Sequence, residues 1–524
     1  MKKFYTLIVL ALLAATTVTA QDAIAHGRGR IENVTDYSLP IVSHPKARHI
    51  GTRATAPLPC VGSPKIPVVL VQFSDLPFTV EETDSAVQAN YQKFFNGTGI
   101  EGQTYRVSGG SWGSVSDYYI EQSDSLFKPE FTVIGPVTLS SGYAYYGKDT
   151  GVHDVNINAF YSEACKLAMT TTDTSWSDFD NNGDGIIDLV FFIYAGYGQN
   201  DSEHNDANTI WPKESVNRLA VSVDEQTLTF GAYGCTCELY NNAQDGIGLV
   251  CHELSHGLGL PDLYDTSGNC YAMDYWDVMD SGCYQLDGKQ PSGYSAYERD
   301  FMGWRSLETV EKDAQVTLTL APIEQGGKGY VILNDGQPSG NEYFILENRQ
   351  NLGFDTYLGC PTTGAFRTYG TCHGLLIIHV DYLQSSWTSN AVNSNSSHQR
   401  LTVVPADGTL ISSLTDYSEK YFLSFRGDIY PGNQNVTEIS SRAVFTDPTA
   451  PFTQTITNIT EHADGTITVD INGGTPDAIH TPTLSGDATP IAIFSLSGQQ
   501  QPTLQQGVNL VRMSNGQVKK VLIK

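Results

Sequence analysis

His252-Glu253-Leu254-Ser255-His256-Gly257-Leu258-Gly259-Leu260-Pro261-Asp262 lies midway along the 524-residue chain. The apolar residues Ile247, Val250, Cys251, Leu254 and Leu258 recur at i, i+3, i+4, i+7 and i+11, which describes a helix with one buried face. On such a helix His252 and His256 stand one turn apart and can aim two imidazole nitrogens at one metal ion. Glu253 lies beside them, where its carboxylate can reach a metal-bound water without ligating the metal, the position required of a general base. Gly259 can adopt the left-handed conformation that ends a helix, and Pro261 prevents its resumption. The chain is thereby turned back so that Asp262 arrives as third ligand. Glu298, on a later helix, is the alternative third ligand. Two nitrogens and one carboxylate leave a fourth position for water, as in catalytic zinc sites, whereas a structural zinc takes four protein ligands.

Outward from this stretch, Tyr294, Tyr297, Phe301 and Trp304 fit a further helix with Pro291 near its start. Val68-Val69-Leu70-Val71-Gln72-Phe73 and Leu189-Val190-Phe191-Phe192-Ile193-Tyr194 are short continuous apolar runs, the pattern of buried strands. Residues 154–170 between them suit a helix. After residue 307 the pattern alternates, at 315–320, 343–346, 375–380 and 401–404, which predicts a β-rich region. The expected organisation is a signal peptide at 1–20, a pro-segment at 21–64, a catalytic domain at 65–306, a β-rich domain at 307–475 and a small β tail at 476–524.

Lys2 and Lys3, an apolar stretch from Phe4 to Ala15 and the small-residue ending Val18-Thr19-Ala20 have the layout of a cleavable signal peptide. That apolar stretch is shorter than the ~20 residues of a membrane span, so the expected location is secreted or cell-surface, with no membrane span. Thirty basic against 57 acidic residues give a formal charge of −27, which repels phosphate backbones and argues against nucleic acid as a partner. Nine cysteines in an exported chain suggest disulfides, with Cys270–Cys283 and Cys360–Cys372 as close pairs. Cys60, in a leader-like segment, is expected to be a disulfide partner or inert thiol, with inhibition of the metal by its thiolate as the alternative.

The run HELSHGLGLPDLYD at 252–265 resembles the M6 family of secreted metallopeptidases, the immune inhibitor A type. The resemblance spans roughly residues 65–440 and includes PVVLVQFSD at 67–75, DNNGDGIIDLVFFIYAGYG at 180–198, WDVMDSG at 276–282, SAYERDFMGW at 295–304 and GLLIIHVD at 374–381. It implies extracellular proteolysis, synthesis as a zymogen, zinc on His252 and His256, and Glu253 as base. Met279 matches the methionine turn beneath the metal of metzincin-like enzymes. Such enzymes often place a tyrosine two residues later to stabilise the oxyanion, whereas this chain has Ser281, leaving Tyr264, Tyr284 and Tyr294 as candidates.

Asp180, Asn182, Asp184 and Asp188 place oxygen side chains at relative positions 1, 3, 5 and 9 around a glycine turn, part of a calcium-loop pattern. Gly109-Gly110-Ser111-Trp112-Gly113 matches a serine-hydrolase elbow but lacks a preceding buried strand, so it reads as a glycine-rich connection. Cys235 and Cys237 suit disulfide chemistry, and His379 a structural histidine on a buried strand. The closing segment, with Ile493-Phe494-Ser495-Leu496-Ser497-Gly498, resembles a type IX secretion sorting domain, which implies secretion machinery as a partner, and the alternative is a terminal β-sandwich needed for solubility. The expected fold is α+β: a zincin, metzincin-like catalytic domain with a mixed sheet and active-site helix, then β-rich units. The expected function is zinc-dependent (Zn2+) endopeptidase action on extracellular proteins through zinc-bound water activated by Glu253, with calcium (Ca2+) as a second ion. The alternative is a surface adhesin with a structural or inactive zinc site.

Overall fold

The computed structural model describes residues 56–97, 113–150, 153–334, 340–359, 372–410, 425–439, 452–474 and 490–523, apart from 172, 202–203, 205, 216–217, 224–225, 269, 496–499, 502 and 514–517. The expected signal peptide, Ser111 and Cys360 lie outside the described residues.

One mixed sheet carries the first half of the chain. Its strands are β1 (Lys65–Gln72), β2 (Glu130–Thr138), β3 (Ile187–Tyr197), β4 (Lys213–Ser215), β5 (Leu219–Val223), β6 (Gln226–Tyr240) and β7 (Ala243–Gln244). The order is β2-β1-β3-β6-β4, parallel from β2 to β6, while β4, β5 and β7 pair with β6 antiparallel. β1 and β3 read as continuous apolar runs because both faces are covered. Val68, Leu70, Leu189, Phe191 and Ile193 enter one core, and Val69, Val71, Val190, Phe192 and Tyr194 the other. α1 (Asp84–Asn96), α2 (Val115–Gln122) and α4 (Gly248–Gly257) contribute to the first core, and α3 (Ile157–Thr171) packs in the second. Ser114 caps α2 in a reciprocal capping box with Asp117.

The expected boundary at 306/307 is not a break in packing. After α5 (Ala296–Phe301) come β8 (Glu308–Thr309), β9 (Val316–Leu320), β10 (Tyr330–Leu333), β11 (Glu342–Arg349), β12 (Gly374–Asp381), β13 (Leu401–Val403), β14 (Ile456–Glu461) and β15 (Ile467–Ile471). They form a five-stranded sheet ordered β13-β12-β11-β10-β8 and a three-stranded sheet ordered β14-β15-β9. Tyr343, Ile345, Leu376 and Ile378 share the first core with α4. From the opposite face, Phe344, Leu346, Leu375 and Ile377 pack with Val469 and Ile471 of the smaller sheet. The β-rich region and the preceding residues therefore share one hydrophobic core and belong to one compact unit ending at Gly474.

The chain also enters this unit earlier than the expected start at 65. Leu58 and Cys60 are buried, Leu58 N donates to Gly257 O at the end of α4 (3.2 Å), and Trp304 Nε1 donates to Cys60 O (2.6 Å). Residues 58–60, inside the segment expected as the 21–64 leader, are therefore part of the packed structure. The second unit, Thr475–Lys524, holds β16 (Pro490–Ser495), β17 (Gln500–Gln501), β18 (Gly507–Met513) and β19 (Val518–Ile523), an antiparallel sheet ordered β17-β16-β18-β19.

Candidate metal centre

α4 is seated by backbone contact at its start and apolar packing along its length. Gly248 N donates to Gly288 O (2.8 Å), and a Cβ on Gly248 would meet Cys283 O at 1.9 Å, so only glycine allows this approach. Ile247, Val250, Cys251, Leu254 and Leu258 face the core, as the sequence spacing predicts. Tyr119 Oη donates to Cys251 O (2.9 Å), and Tyr294 Oη and Ser255 Oγ are hydrogen-bonded. Gly259 follows with φ +96°, and Leu260 N returns to Ser255 O (3.2 Å). The turn thus brings Asp262 back to the imidazoles.

Asp262 Oδ1 stands 3.2 Å from both His252 Nε2 and His256 Nε2. His252 Nδ1 donates to Val278 O and His256 Nδ1 to Leu260 O, each at 2.8 Å. A carbonyl needs an N–H, so these bonds fix Nδ1 as the protonated nitrogen of each neutral ring. Both Nε2 lone pairs then face Asp262 Oδ1, which has no hydrogen-bond donor. Three acceptors, on buried His252 and Asp262 and half-buried His256, converge on one point and call for a cation between them. The carboxylates also draw positive charge to this point: burial opposes protonation of His256, yet Asp262 with Glu253 and Glu214 pushes it up to about 10, so without an ion a proton on Nε2 takes the place a metal ion would fill. Against its own burial, Asp262 is held well below the carboxylate range by His256 and His252. Among the described residues this is the one His/Cys/Asp/Glu group able to hold a metal ion.

Two supports complete the group, the first not visible in the sequence and the second, the methionine turn, expected there without its hydrogen bonds. Asp262 N donates to Asn390 Oδ1 (2.7 Å), and Asn390 Nδ2 donates to Asp262 Oδ2 (2.5 Å). The second support is the turn that presents Val278 O to His252, held by Met279 N donating to Asp277 Oδ1 (2.8 Å). Glu298, the alternative ligand, belongs to this support. Its Oε2 accepts from Ser295 N and Oγ (2.7 and 2.9 Å), and its carboxyl hydrogen-bonds Asp277. Burial and Asp277 push Glu298 well above the usual range, so it holds the proton the two carboxyls share. Glu298 is not brought to the metal-competent group.

Glu253 is buried beside the imidazoles, and burial pushes its carboxyl up while His252 and His256 pull it down. It lines a cavity of about 290 Å3 together with His252, Tyr264 and Tyr284. Tyr264 stacks on His252 with ring centroids 6.3 Å apart and interacts with Asp262, whereas Tyr294 is buried against Ser255 and Tyr284 lies near Asn200. Met279 is fully buried, and Leu263 N donates to its carbonyl (2.9 Å).

In the acidic loop Asp180 accepts from Gly183, Asp184 and Gly185 N, Asn182 Oδ1 from Asp184 N, Asp184 from Ile186 N, and Asp188 from Asn181 and Asn182. Burial, with Asp180 and Asp184 adding repulsion, pushes the Asp188 carboxyl up to about 6. His379 Nε2 pairs with Glu342 inside the β-rich sheet. The cysteine expectations change. Cys270, Cys283, Cys235 and Cys237 are thiols, because Cys270 Sγ turns to Asp265, Cys235 Sγ to Tyr161 and Cys237 Sγ towards Asp245. Cys60 Sγ donates to Met302 O (3.2 Å) in the core, away from the metal-competent group.

Residues 58–306, a little under half of the chain, match the family model for the immune inhibitor A peptidase M6 catalytic domain. Pre-pro-metalloprotease PrtV of Vibrio cholerae serotype O1 is 27% identical over 277 residues, covering 45% of this chain and 29% of that protein. Immune inhibitor A of Bacillus thuringiensis subsp. alesti is 27% identical over 289 residues, covering 47% of this chain and 41% of its own length. The chain thus spans less than half the length of these relatives. The matched region is a hydrolase domain of the metallopeptidase type by this similarity, set in a mixed α/β structure of several sheets. Among the described residues no helix is long and apolar enough to cross a membrane.

Proposed function

We propose that this chain is an exported zinc endopeptidase that hydrolyses peptide bonds of extracellular proteins, with His252, His256 and Asp262 as zinc ligands and Glu253 as general base. The carrying observation is the spacing of the three acceptors. Ligand atoms about 2.0–2.1 Å from a tetrahedral centre stand about 3.3 Å apart, and Asp262 Oδ1 is 3.2 Å from each Nε2. When bound, zinc polarises a carbonyl and lowers the pKa of water to about 7. Glu253 takes the proton of the attacking water and returns it to the leaving amine, a double duty suited to a carboxyl raised by burial. Tyr264, over the His252 ring, would donate a hydrogen bond from its hydroxyl to the substrate oxygen as negative charge develops there, keeping its proton.

Export and synthesis as a zymogen rest on the first twenty residues and on the family likeness, and a sorting role for the tail rests on its closing motif and its separate antiparallel sheet. Calcium in the 180–188 loop would favour the ionised Asp188 against the burial, and the lesser repulsion from Asp180 and Asp184, that raise it. If Asp184→Ala keeps wild-type thermal stability with and without calcium, the loop has no calcium role. The adhesin alternative leaves Glu253 and an open fourth ligand position without a purpose.

The test is casein hydrolysis by the purified mature protein, with zinc content measured in parallel. Activity lost with a chelator, restored by zinc, and absent from a zinc-containing Glu253→Ala variant supports the reading. Activity indifferent to both would overturn it, and stoichiometric zinc without activity in the processed protein would favour the binding-protein alternative.

A further inference from the structure

The cavity beside the metal centre has features that the cleavage reaction alone does not use. At about 290 Å3 it sits at the lower edge of the ~300–1,000 Å3 typical of ligand pockets, a size suited to one side chain. Trp211, Pro212 and Leu249 supply apolar wall, and Trp211 is 43% exposed. Asp265 and Asp280 also line it, both buried, and among the described residues no lysine or arginine does.

The hydrogen bonds to Asp280 favour its carboxylate form against the burial that pushes it up. Its Oδ1 accepts from Ser281 N (2.6 Å) and Ser281 Oγ (3.0 Å), and its Oδ2 from Asp274 N (2.8 Å). Asp265 accepts from Ser267 N (2.8 Å) and Oγ (2.5 Å) at Oδ1 and from Cys270 N (3.1 Å) and Sγ (3.3 Å) at Oδ2. Asp280 Oδ2, which takes only the Asp274 N–H bond among those above, keeps an acceptor direction for a further donor. The cavity thus joins an apolar wall to two buried carboxyl groups, of which Asp280 can receive a donor. That combination matches a long aliphatic stem ending in a cation, and it penalises a carboxylate brought out of water. The indole of Trp211 adds a surface on which a guanidinium can stack. The formal charge of −27 also attracts basic polypeptides at longer range.

We propose that this cavity selects arginine or lysine at the substrate position adjoining the cleaved bond, an inference that rests on the peptidase reading above. The experiment uses matched peptides varied at one position among Arg, Lys, Leu and Glu, with the zinc-loaded full chain. The same peptides are titrated onto the Glu253→Gln variant, which would hold them uncut. Expected are an Arg-over-Leu ratio of about tenfold in kcat/KM and a parallel ranking of affinities, with Glu the poorest. Asp280→Asn should shrink both ratios, and Ser281→Lys, which places a cation at the same wall, should abolish them. Ratios within one variant are insensitive to the fraction folded. Cleavage and binding without basic preference, or a preference unaltered in both variants, would overturn the inference and leave the peptidase reading standing. Basic-selective binding without cleavage by the zinc-loaded wild type would support the cavity's selectivity and overturn the reaction.

Discussion

Asn390 holds Asp262 at two points, accepting from its backbone N–H at 2.7 Å and donating to carboxylate Oδ2 at 2.5 Å. Oδ1 is thereby left to face the two Nε2 atoms. Partners of this kind commonly contribute about 10–100-fold to metal affinity. Asn390 has φ +52°, so glycine can keep its backbone conformation while removing the clamp. Asn390→Gly is expected to weaken zinc binding by about that factor in a chelator competition, with thermal stability of the zinc-free protein changed little. Unchanged affinity would show that the clamp does not position the ligand.

Tyr264 differs from the other two tyrosine candidates in its neighbours. Tyr294 is committed to Ser255 and Tyr284 lies near Asn200, whereas Tyr264 lies over His252 and is 39% exposed. Removing one oxyanion donor typically costs about 10²–10³ in kcat. Tyr264→Phe should therefore lower kcat by about 10²-fold with KM nearly constant, while Tyr284→Phe leaves kcat within a few-fold. Equal losses in the two variants would remove Tyr264 from the proposed reaction.

The metal-competent group was legible in sequence because its three residues lie within eleven positions, and local geometry alone joins them: a helix repeat for His252 and His256, then a glycine turn at φ +96° for Asp262. Asn390 and Val278 O reach the same group from distant segments, which no spacing reveals. Glu298 was misleading for the same reason. Its helix was expected and its capping box with Ser295 is a local contact three residues apart, but its pairing with Asp277 depends on tertiary packing. The buried runs of β1 and β3 were readable, whereas β6 was not, since Gly231, Gly234 and Cys235 interrupt any apolar alternation along its fifteen residues. The boundary expected at 306/307 followed a real change in secondary structure, but β11 is buried throughout. Charged residues such as its Glu347 and Arg349 are by type mostly exposed, yet Arg349 is sequestered with Glu347 and Asp355 in the interior.

The Asp277–Glu298 pair gives a stability prediction with an internal control. Oε1 of Glu298 and Oδ2 of Asp277 have no donor unless one carboxyl keeps its proton, and burial together with Asp277 keeps it on Glu298. A glutamine amide can donate in place of that proton, whereas alanine leaves Asp277 buried and without this partner. Glu298→Ala should lose about 2–4 kcal/mol in urea unfolding, and Glu298→Gln less than about 1 kcal/mol. Equal losses would mean that Glu298 acts through packing, and the shared proton would be excluded.

Asp245, just ahead of α4 and outside the proposed ligand set, offers a pH test. Burial pushes its carboxyl up to about 8, against the pull of the Gly246 N–H bond (2.7 Å) and of Lys289. The unfolded group titrates near 3.9, so between about pH 4 and 8 the native state binds more protons than the unfolded state. Stability contributed at this position is therefore greatest below the unfolded value, falls as pH rises through that window, and is constant above it. Asparagine stays neutral throughout and escapes the loss. The Tm of Asp245→Asn minus that of wild type should increase from pH 5 to pH 8 by on the order of 2 °C or more. Because other titrating groups are common to both proteins, their effects cancel in this difference. A difference that stays flat across the window would show that Asp245 is already ionised in the folded protein at pH 5.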